Sequence, residues 1–323
     1  MQELHPLRFR PILRQYLWGG RRLATLLGKP LGPGDDYAES WEVVDHGEDQ
    51  SVVVYGPLAG TTLAELVRTR GGELLGRHAP RDRFPLLLKF LDAQKTLSVQ
   101  VHPNDAQAAR QSPPDAGKTE AWVVLAAEPG SLIYAGLRPG ADRPALEQAV
   151  QEGTCEQLLH RFEPAVGDCV FLPAGTVHAL GAGLVVAEIQ QSSDTTFRLF
   201  DWNRVGSDGK PRPLHVQQAL EVIDFDRGPV APQTPRGTPR RGEALLVECE
   251  QFVLCRRRLD QPETVGGDDR CYILSVIGGS IRVEADPSDE ALTVGSTVLL
   301  PASAGPVELV PEEPTVLLVS CLP

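Results

Sequence analysis

Residues 166–175 read VGDCVFLPAG, and residues 294–303 read VGSTVLLPAS. The two phrases share Val, Gly, Val, Leu, Pro and Ala at matched places, at an offset of 128 residues. Each combines a short apolar run led by Gly with a Pro-Ala turn, a pattern typical of a strand and the turn that follows it. The repeat therefore predicts two copies of one β-barrel unit.

Most other segments are also short, rich in β-branched residues and separated by Gly or Pro, as in EAWVVLAAEPGSLIYAGL at 120–137. This pattern is typical of a mainly β protein with few, short helices. Thr62 with Glu65 fits a capping box and predicts one of these helices. Asp105 is expected to cap another.

Residues 227–242, RGPVAPQTPRGTPRRG, contain four prolines and four arginines. This composition disfavours both helix and strand, so we expect a linker or a long surface connection, with an arginine-lined anion site as the alternative. The expected domains are therefore 1–226, with helical insertions, and 243–323, a second β domain.

Composition and charge narrow the classes of function. The 323 residues are 41% hydrophobic and 23% charged, as in soluble globular proteins. The 43 acidic residues outnumber the 31 basic ones, and the net charge of −12 disfavours binding to nucleic acid, which needs a basic face. An anionic substrate would need a local cluster of Lys and Arg.

The cysteines and the apolar segments indicate a compartment. The six cysteines include no Cys-x-x-Cys pair, so free thiols in a reducing cytoplasm are expected. Residues 1–20 carry Pro and Arg where a signal peptide has an apolar core. No apolar run approaches the roughly 18 residues of a membrane span. We expect a cytoplasmic protein with no membrane partner.

Polar side chains interrupt a strand-like run at 97–105, LSVQVHPND. Gln100 and His102 are two residues apart, so their side chains lie on one face of a strand, while Val101 faces the opposite way. Pro103 ends the strand. The two polar groups are therefore expected near its rim, where a cavity can open.

Two further segments add polar groups to this pair. GKTEAWVVL (117–125) places Lys118 and Glu120 two residues apart, and LPAGTVHAL (172–180) places His178 after a Pro-Ala-Gly turn. Two His, one Glu and one Gln at three strand ends match a mononuclear divalent-metal site. Imidazole and carboxylate suit zinc, while iron, manganese, nickel and cobalt remain open. The alternative is a set of unrelated polar residues on a barrel surface.

Four motifs together resemble one known family. LLLKFLDAQKTLSVQVHPND (86–105), GKTEAWVVL, FLPAGTVHALG (171–181) and SSDTTFRLFDWNR (192–204) are similar, in order and spacing, to motifs of type I mannose-6-phosphate isomerases in their short bacterial form. The resemblance is continuous from about residue 8 to 225. It implies a fold of two cupin-type antiparallel β-barrels (jelly rolls), the second degenerate, and one zinc ion as cofactor.

The resemblance also implies roles for single residues. The metal ligands fall on Gln100, His102, Glu120 and His178. Ser98 and Lys89 correspond to substrate-binding positions, Ser98 near the substrate phosphate, and Lys118 and Arg198 to catalytic positions.

Two of these roles have simpler alternatives. Lys89, in LLLKFL, can extend its ammonium group from a strand edge into water. Arg198 can form a structural ion pair with Asp194 or Asp201.

The activity implied is that of an aldose–ketose isomerase that interconverts mannose 6-phosphate and fructose 6-phosphate through a metal-stabilised enediol. The partner is then a phosphorylated hexose, and the chain a monomer or weak homo-oligomer. The general base stays open among Lys118, Glu120 and a water molecule at the metal. The alternatives are a non-catalytic sugar-phosphate-binding cupin and a different metal-dependent cupin enzyme.

The second copy of the repeat lacks the histidine of the first. Pro306 stands at the place that matches His178, and no His follows His215. We therefore expect the copy within 243–323 to be structural, with no His-bearing metal site.

Overall fold

The computed structural model describes residues 4–205 and 209–323. In these ranges the chain forms 23 strands and five α-helices. Within the same ranges, none of the helices combines the length and the apolar character needed to cross a membrane. The predicted mainly β chain with few short helices is confirmed.

The strands are β1 (Ile12–Gly20), β2 (Tyr37–Val43), β3 (Asp45–His46), β4 (Asp49–Gln50), β5 (Leu86–Ala93), β6 (Val99–Val101), β7 (Glu120–Ala127), β8 (Ile133–Leu137), β9 (Leu159–Phe162), β10 (Cys169–Leu172), β11 (His178–Leu180), β12 (Leu184–Gln191), β13 (Phe197–Phe200), β14 (Arg236–Gly237), β15 (Glu243–Glu248), β16 (Val253–Leu259), β17 (Glu263–Gly266), β18 (Tyr272–Gly278), β19 (Ser280–Val283), β20 (Leu292–Thr293), β21 (Thr297–Leu300), β22 (Pro306–Pro311) and β23 (Thr315–Cys321). The helices are α1 (Arg22–Leu27), α2 (Leu63–Leu75), α3 (Asp105–Ala108), α4 (Arg143–Gln151) and α5 (Val216–Val222).

The chain divides into two compact units. The central unit holds Tyr16–Gly20 and Leu91–Gln233, and the terminal unit holds the chain up to Gln15, Arg21–Phe90 and Thr234–Pro323.

The terminal unit joins segments that are far apart in sequence. Leu7 and Leu299 exchange two backbone hydrogen bonds, with N···O distances of 2.8 and 2.9 Å. The expected domains, 1–226 and 243–323, are each continuous in sequence. The terminal unit instead combines N-terminal and C-terminal segments. Whether 1–226 and 243–323 act as separate domains stays a prediction.

The central unit places apolar and polar residues on opposite faces of β6. Its five-stranded sheet has the order β13-β6-β11-β8-β9, and a second set of strands pairs as β12-β7-β10. Val99 and Val101 are fully buried in an apolar cluster that includes Leu146 of α4 and Leu220 of α5. The alternation along β6 then leaves Gln100 for the face away from this cluster.

The terminal unit repeats this topology. Its order β23-β18-β21 matches β12-β7-β10, and β17-β22-β19-β20 matches β6-β11-β8-β9. The repeated phrases form β10 and β21, and the next strands begin at His178 and Pro306, at the same offset as in the sequence. The predicted duplication of one β unit is confirmed.

One of the two predicted helix caps is present in the structure, and the other is not. Thr62 caps α2, because its Oγ1 accepts from the backbone N–H of Glu65 at 3.1 Å. The cap of α3 is Asn104, which shares a reciprocal capping box with Gln107 at 2.9 Å in both directions. The prediction of Asp105 as the cap is wrong, because its carboxylate accepts from Gly117 N at 2.8 Å instead.

Residues 227–242 hold only the two-residue strand β14 within an extended segment. Three of its arginines make ion pairs with acidic residues, namely Arg227–Asp224 at 2.9 Å, Arg236–Glu248 at 3.5 Å and Arg241–Asp260 at 3.1 Å. These side chains are partly or largely exposed. The contacts favour a surface connection over an anion site.

Candidate metal centre

The site is built around the middle of β6. Gln100 faces His178 of β11 on one side and Arg198 of β13 on the other. Residues directly opposite each other in antiparallel strands point to the same face of the sheet. The pairing therefore gathers an amide, an imidazole and a guanidinium on the face away from the apolar cluster.

Glu120 completes a buried cluster with the two histidines. Its Oε1 lies 3.2 Å from His178 Nε2 and its Oε2 lies 3.5 Å from His102 Nε2. The ligand atoms of the three residues all lie within 4.8 Å of one another. Each side chain is 2% exposed or less. Three of the four predicted metal ligands therefore converge on one point.

Backbone carbonyls set the tautomer of both imidazoles. His102 Nδ1 lies 2.9 Å from Thr195 O, and His178 Nδ1 lies 2.9 Å from Thr176 O. Because a carbonyl only accepts, each Nδ1 carries the proton and donates it. In the neutral form of each imidazole, Nε2 therefore carries a lone pair on the side of Glu120.

Burial keeps the His178 imidazole neutral, because it lowers the pKa of that group to about 4. A neutral imidazole with its Nδ1–H held by a carbonyl is the form in which histidine binds metal ions. Two such nitrogens with one carboxylate are a donor set that fits zinc. The residues at this site fit a divalent ion.

Gln100 is placed to add a fourth ligand. Its Nε2 lies 3.3 Å from His178 Nε2. A half-turn of the amide group exchanges its nitrogen and oxygen, and the oxygen is an acceptor with two lone pairs. The fourth predicted ligand thus lies beside the cluster.

Lys118 lies at the edge of the same cluster. Its Nζ is 3.3 Å from Glu120 Oε2 and 3.4 Å from His102 Nε2, and its side chain is 5% exposed. Lys118 lies two residues before Glu120, just ahead of β7, and the two side chains are in direct contact.

Glu188 is a site residue that the sequence analysis missed. This carboxylate on β12 is 2% exposed. Its Oε1 lies 3.9 Å from Lys118 Nζ, and its Oε2 accepts from Trp122 Nε1 at 3.0 Å. Trp122 in turn presents its ring to His178, with centroids 5.4 Å apart. The signal was a glutamate inside the otherwise apolar run LVVAEI at 184–189.

Arg198 and Ser98 lie together. Arg198 Nε donates to Ser98 Oγ at 3.3 Å, and its Nη1 donates to Pro213 O at 2.9 Å. Desolvation, followed by the charge of Arg212, lowers the pKa of Arg198. The carboxylate of Asp201 is bound instead by Arg212, at 2.8 and 2.6 Å, and by Arg204.

Lys89 belongs to the terminal unit. It is 5% exposed, its Nζ lies 3.6 Å from Glu39 Oε2, and the same nitrogen lies 5.6 Å from the ring centroid of Trp41. The alternative of an ammonium group that reaches into water from a strand edge is therefore wrong. The substrate-binding role of Lys89 stays a prediction.

Comparison with known proteins points in one direction. Residues 7–123 match the family model described as phosphomannose isomerase type I, catalytic domain. The chain is 35% identical over 311 residues to mannose-6-phosphate isomerase ManA of Bacillus subtilis, covering 94% of this chain and 95% of that protein. It is 33% identical over 298 residues to a mannose-6-phosphate isomerase of Streptococcus mutans, covering 92% of each.

Solved structures agree. The crystal structure of the Bacillus subtilis mannose 6-phosphate isomerase matches with a TM-score of 0.88 at 30% identity, over 98% of this chain and 99% of that one. A mannose 6-phosphate isomerase bound with zinc and yttrium matches with a TM-score of 0.77 at 17% identity, over 99% of this chain and 100% of that one, and shares the fold.

Proposed function

The chain belongs to the type I phosphomannose isomerase family, and on that premise we propose that the cluster of His102, Glu120 and His178 is its active centre. The protein is an aldose–ketose isomerase that interconverts mannose 6-phosphate and fructose 6-phosphate. The reaction moves a proton between C1 and C2 of the sugar through an enediol.

One divalent ion, zinc by preference, is held by Gln100, His102, Glu120 and His178. The two imidazoles, with their Nδ1–H groups bound to backbone carbonyls, carry this assignment. When bound, the ion supplies a Lewis acid that stabilises the negative charge on the reacting oxygen, by several kcal/mol.

Lys118 is the proton-carrying group of the site. Its ammonium has three N–H donors and lies between the carboxylates of Glu120 and Glu188, at 3.3 and 3.9 Å. It is therefore positioned to give or accept a proton at a sugar oxygen. Glu188 holds Lys118 at this place, and the hydrogen bond from Trp122 orients the Glu188 carboxylate.

Arg198 and Ser98 bind the anionic part of the substrate. A guanidinium group has five N–H donors in a planar fork that suits phosphate and oxyanions. The contacts to Ser98 and to the Pro213 carbonyl use two of these donors and fix the plane of the group. In a chain with a net charge of −12, the Arg198 guanidinium supplies local positive charge.

Turnover of phosphorylated and free mannose tests this proposal. The wild type should isomerise mannose 6-phosphate. A chelator should stop this turnover, and added zinc should restore it. Free mannose should be a far poorer substrate, because it lacks the anion that Arg198 binds. Binding without turnover would identify a sugar-phosphate sensor, and equal turnover of free and phosphorylated mannose would identify a free-sugar isomerase.

We also propose a reducing, cytoplasmic location and a monomeric or weakly associated state. The support for the location is the set of six free cysteines, none of them in a disulfide. Size-exclusion chromatography with light scattering, in buffer with and without reductant, tests the oligomeric state.

A further inference from the structure

The carbonyl that holds His102 belongs to a loop rather than to a strand. Thr195 lies between β12 and β13, and its carbonyl accepts from His102 Nδ1 at 2.9 Å. By contrast, His178 Nδ1 donates to the carbonyl of Thr176, which is only two residues away in the sequence. The position of the His102 ring therefore depends on how firmly the Thr195 loop is held.

One carboxylate holds this loop. Asp115 Oδ2 accepts from Thr195 Oγ1 at 2.9 Å and from Ser193 Oγ at 2.8 Å. Ser193 Oγ in turn accepts from Thr195 N at 3.3 Å. Gln190, at the end of β12, adds a bond from its Nε2 to Ser193 O at 2.6 Å. Thr195 is thus held through both its side chain and its backbone.

Asp115 is itself well fixed. Its Oδ1 accepts from Ala116 N at 2.8 Å, and its backbone N–H donates to Ala108 O at 3.2 Å. Asp115 lies on the segment that leads into β7, the strand that carries Glu120. The same short segment therefore supports two sides of the cluster.

We propose that Asp115 is a positioning residue for the metal ligand His102, acting through Thr195. This inference rests on the proposed function, because it takes His102 as a ligand. Side chains that orient a ligating histidine typically change metal affinity by about 10- to 100-fold when removed. Because Asp115 acts through one further group, we expect the lower end of this range.

The loop offers a matched control. Asp194 lies between Ser193 and Thr195 and is exposed. The contacts that hold Thr195 are made by Asp115 and Ser193. Removing the Asp194 carboxylate therefore changes the loop charge by the same amount and leaves the support of Thr195 in place.

The test measures zinc affinity by competition with a chelator in the full-length protein. Asp115→Ala and Thr195→Val should each weaken zinc binding by about tenfold. The double variant should bind zinc no more weakly than Asp115→Ala alone, because that change already removes the bond that Thr195→Val breaks. Thr195→Ser, which keeps the hydroxyl, and Asp194→Ala should bind zinc as the wild type does. The visible absorption of the cobalt-loaded protein should shift in the two weakened variants only.

The outcomes separate the two proposals. Wild-type zinc affinity in both Asp115→Ala and Thr195→Val would overturn the inference, as would equal weakening by Thr195→Ser. If Asp115→Ala does not fold, the zinc affinities of Thr195→Val and Thr195→Ser, compared with each other, decide whether the inference holds. Unchanged zinc affinity in His102→Ala would instead overturn the ligand assignment on which the inference depends.

Discussion

Two backbone carbonyls control the histidines at the residue scale. The carbonyls of Thr176 and Thr195 accept hydrogen bonds from the Nδ1–H groups, and this places both Nε2 atoms on the side of Glu120. Because burial lowers the pKa of His178 to about 4, protons compete weakly for its Nε2 above that pH. The hydrogen-bond partners thus give both imidazoles the orientation that a metal ligand needs.

Removal of one imidazole should remove the metal. We expect near one equivalent of zinc per chain in the wild type and little or none in His178→Ala, since a tetrahedral site loses one of its two nitrogen donors. Elemental analysis of the purified protein measures this. His160→Ala is the matched control, because His160 lies on β9, where its ring contacts that of Phe162 with centroids 6.0 Å apart. Retention of a full equivalent in His178→Ala would contradict the assignment.

Burial should also make the thiols slow to react. It raises the pKa of Cys155 and Cys271 to about 12. The thiolate is the reactive form, so alkylation of these two at pH 8 should be roughly a thousandfold slower than that of a free thiol. Because the folded state favours the protonated thiols, these groups contribute fully to the free energy of unfolding below the ordinary thiol pKa. This contribution is lost as the pH rises towards 12.

Mass spectrometry after iodoacetamide treatment measures the thiol labelling. Cys249 is partly exposed and should be labelled first in the native protein, while all six cysteines should react in urea. Equal labelling of Cys155, Cys249 and Cys271 in the native state would show that burial does not control these thiols.

At the element scale, the segment before α5 holds Arg198 on three sides. Pro213 O accepts from Arg198 Nη1 at 2.9 Å, His215 N donates to Arg198 O at 2.7 Å, and His215 Nδ1 accepts from Arg198 N at 3.1 Å. The segment is tied back to the end of β13 by two hydrogen bonds from Arg212 to Asp201, at 2.8 and 2.6 Å. The Arg198 guanidinium is therefore positioned by a neighbouring segment.

Arg212→Lys should disturb this arrangement without changing the charge. A lysine cannot reproduce the two-pronged contact with Asp201, so the 212–215 segment should loosen and Arg198 should lose its orientation. We expect kcat to fall by about tenfold with zinc content unchanged. Arg227→Lys, which alters a similar pair with Asp224 on the surface, should leave kcat unchanged. Equal kcat in the wild type and Arg212→Lys would rule this role out.

At the scale of the whole molecule, the two copies of the β unit differ in what fills them. Where Gln100 faces His178 in one copy, Gly266 faces Pro306 in the other. Where Glu120 faces Leu172, Tyr272 faces Leu300. These changes leave a mainly apolar interior in the terminal unit, comprising Leu259, Val265, Tyr272, Leu274, Val276, Ile281, Val283, Leu292, Val298, Leu300, Val307, Leu309, Leu317, Val319 and Cys321. The second copy carries the pattern of a structural core.

Removal of residues 234–323 should therefore cost solubility. It deletes the partners of earlier segments in the terminal unit, including Leu299, which pairs with Leu7, and Gly295 O, which accepts from Lys29 Nζ at 2.6 Å. We expect the 1–233 chain to be recovered mainly in the insoluble fraction, and coexpression with 234–323 as a separate chain to restore soluble protein. A soluble 1–233 chain with the wild-type thermal midpoint would contradict a structural role for the second copy.

The sequence by itself determined the fold class and the duplication, and it predicted side chains that the structure brings together around Glu120. The alternation in LSVQVH places Gln100 and His102 on one face whatever lies beside that strand. The repeat at 166–175 and 294–303 predicted the topology that occurs twice in the structure. Pro306, at the place that matches His178, identified the copy that lacks the histidine. These features are local or repetitive, so they can be read along the chain.

Only the tertiary structure decided which distant groups support that cluster. Three such contacts join different parts of the chain. They are the ion pair of Glu188 with Lys118 and the hydrogen bonds of His102 with Thr195 and of Arg212 with Asp201. The pairing of Leu7 with Leu299 likewise divides the chain along lines that do not follow its order. Such contacts depend on strand order and on the paths of loops, which hydrophobic periodicity does not encode, because a period of two sets the face of a side chain and leaves its partner undetermined.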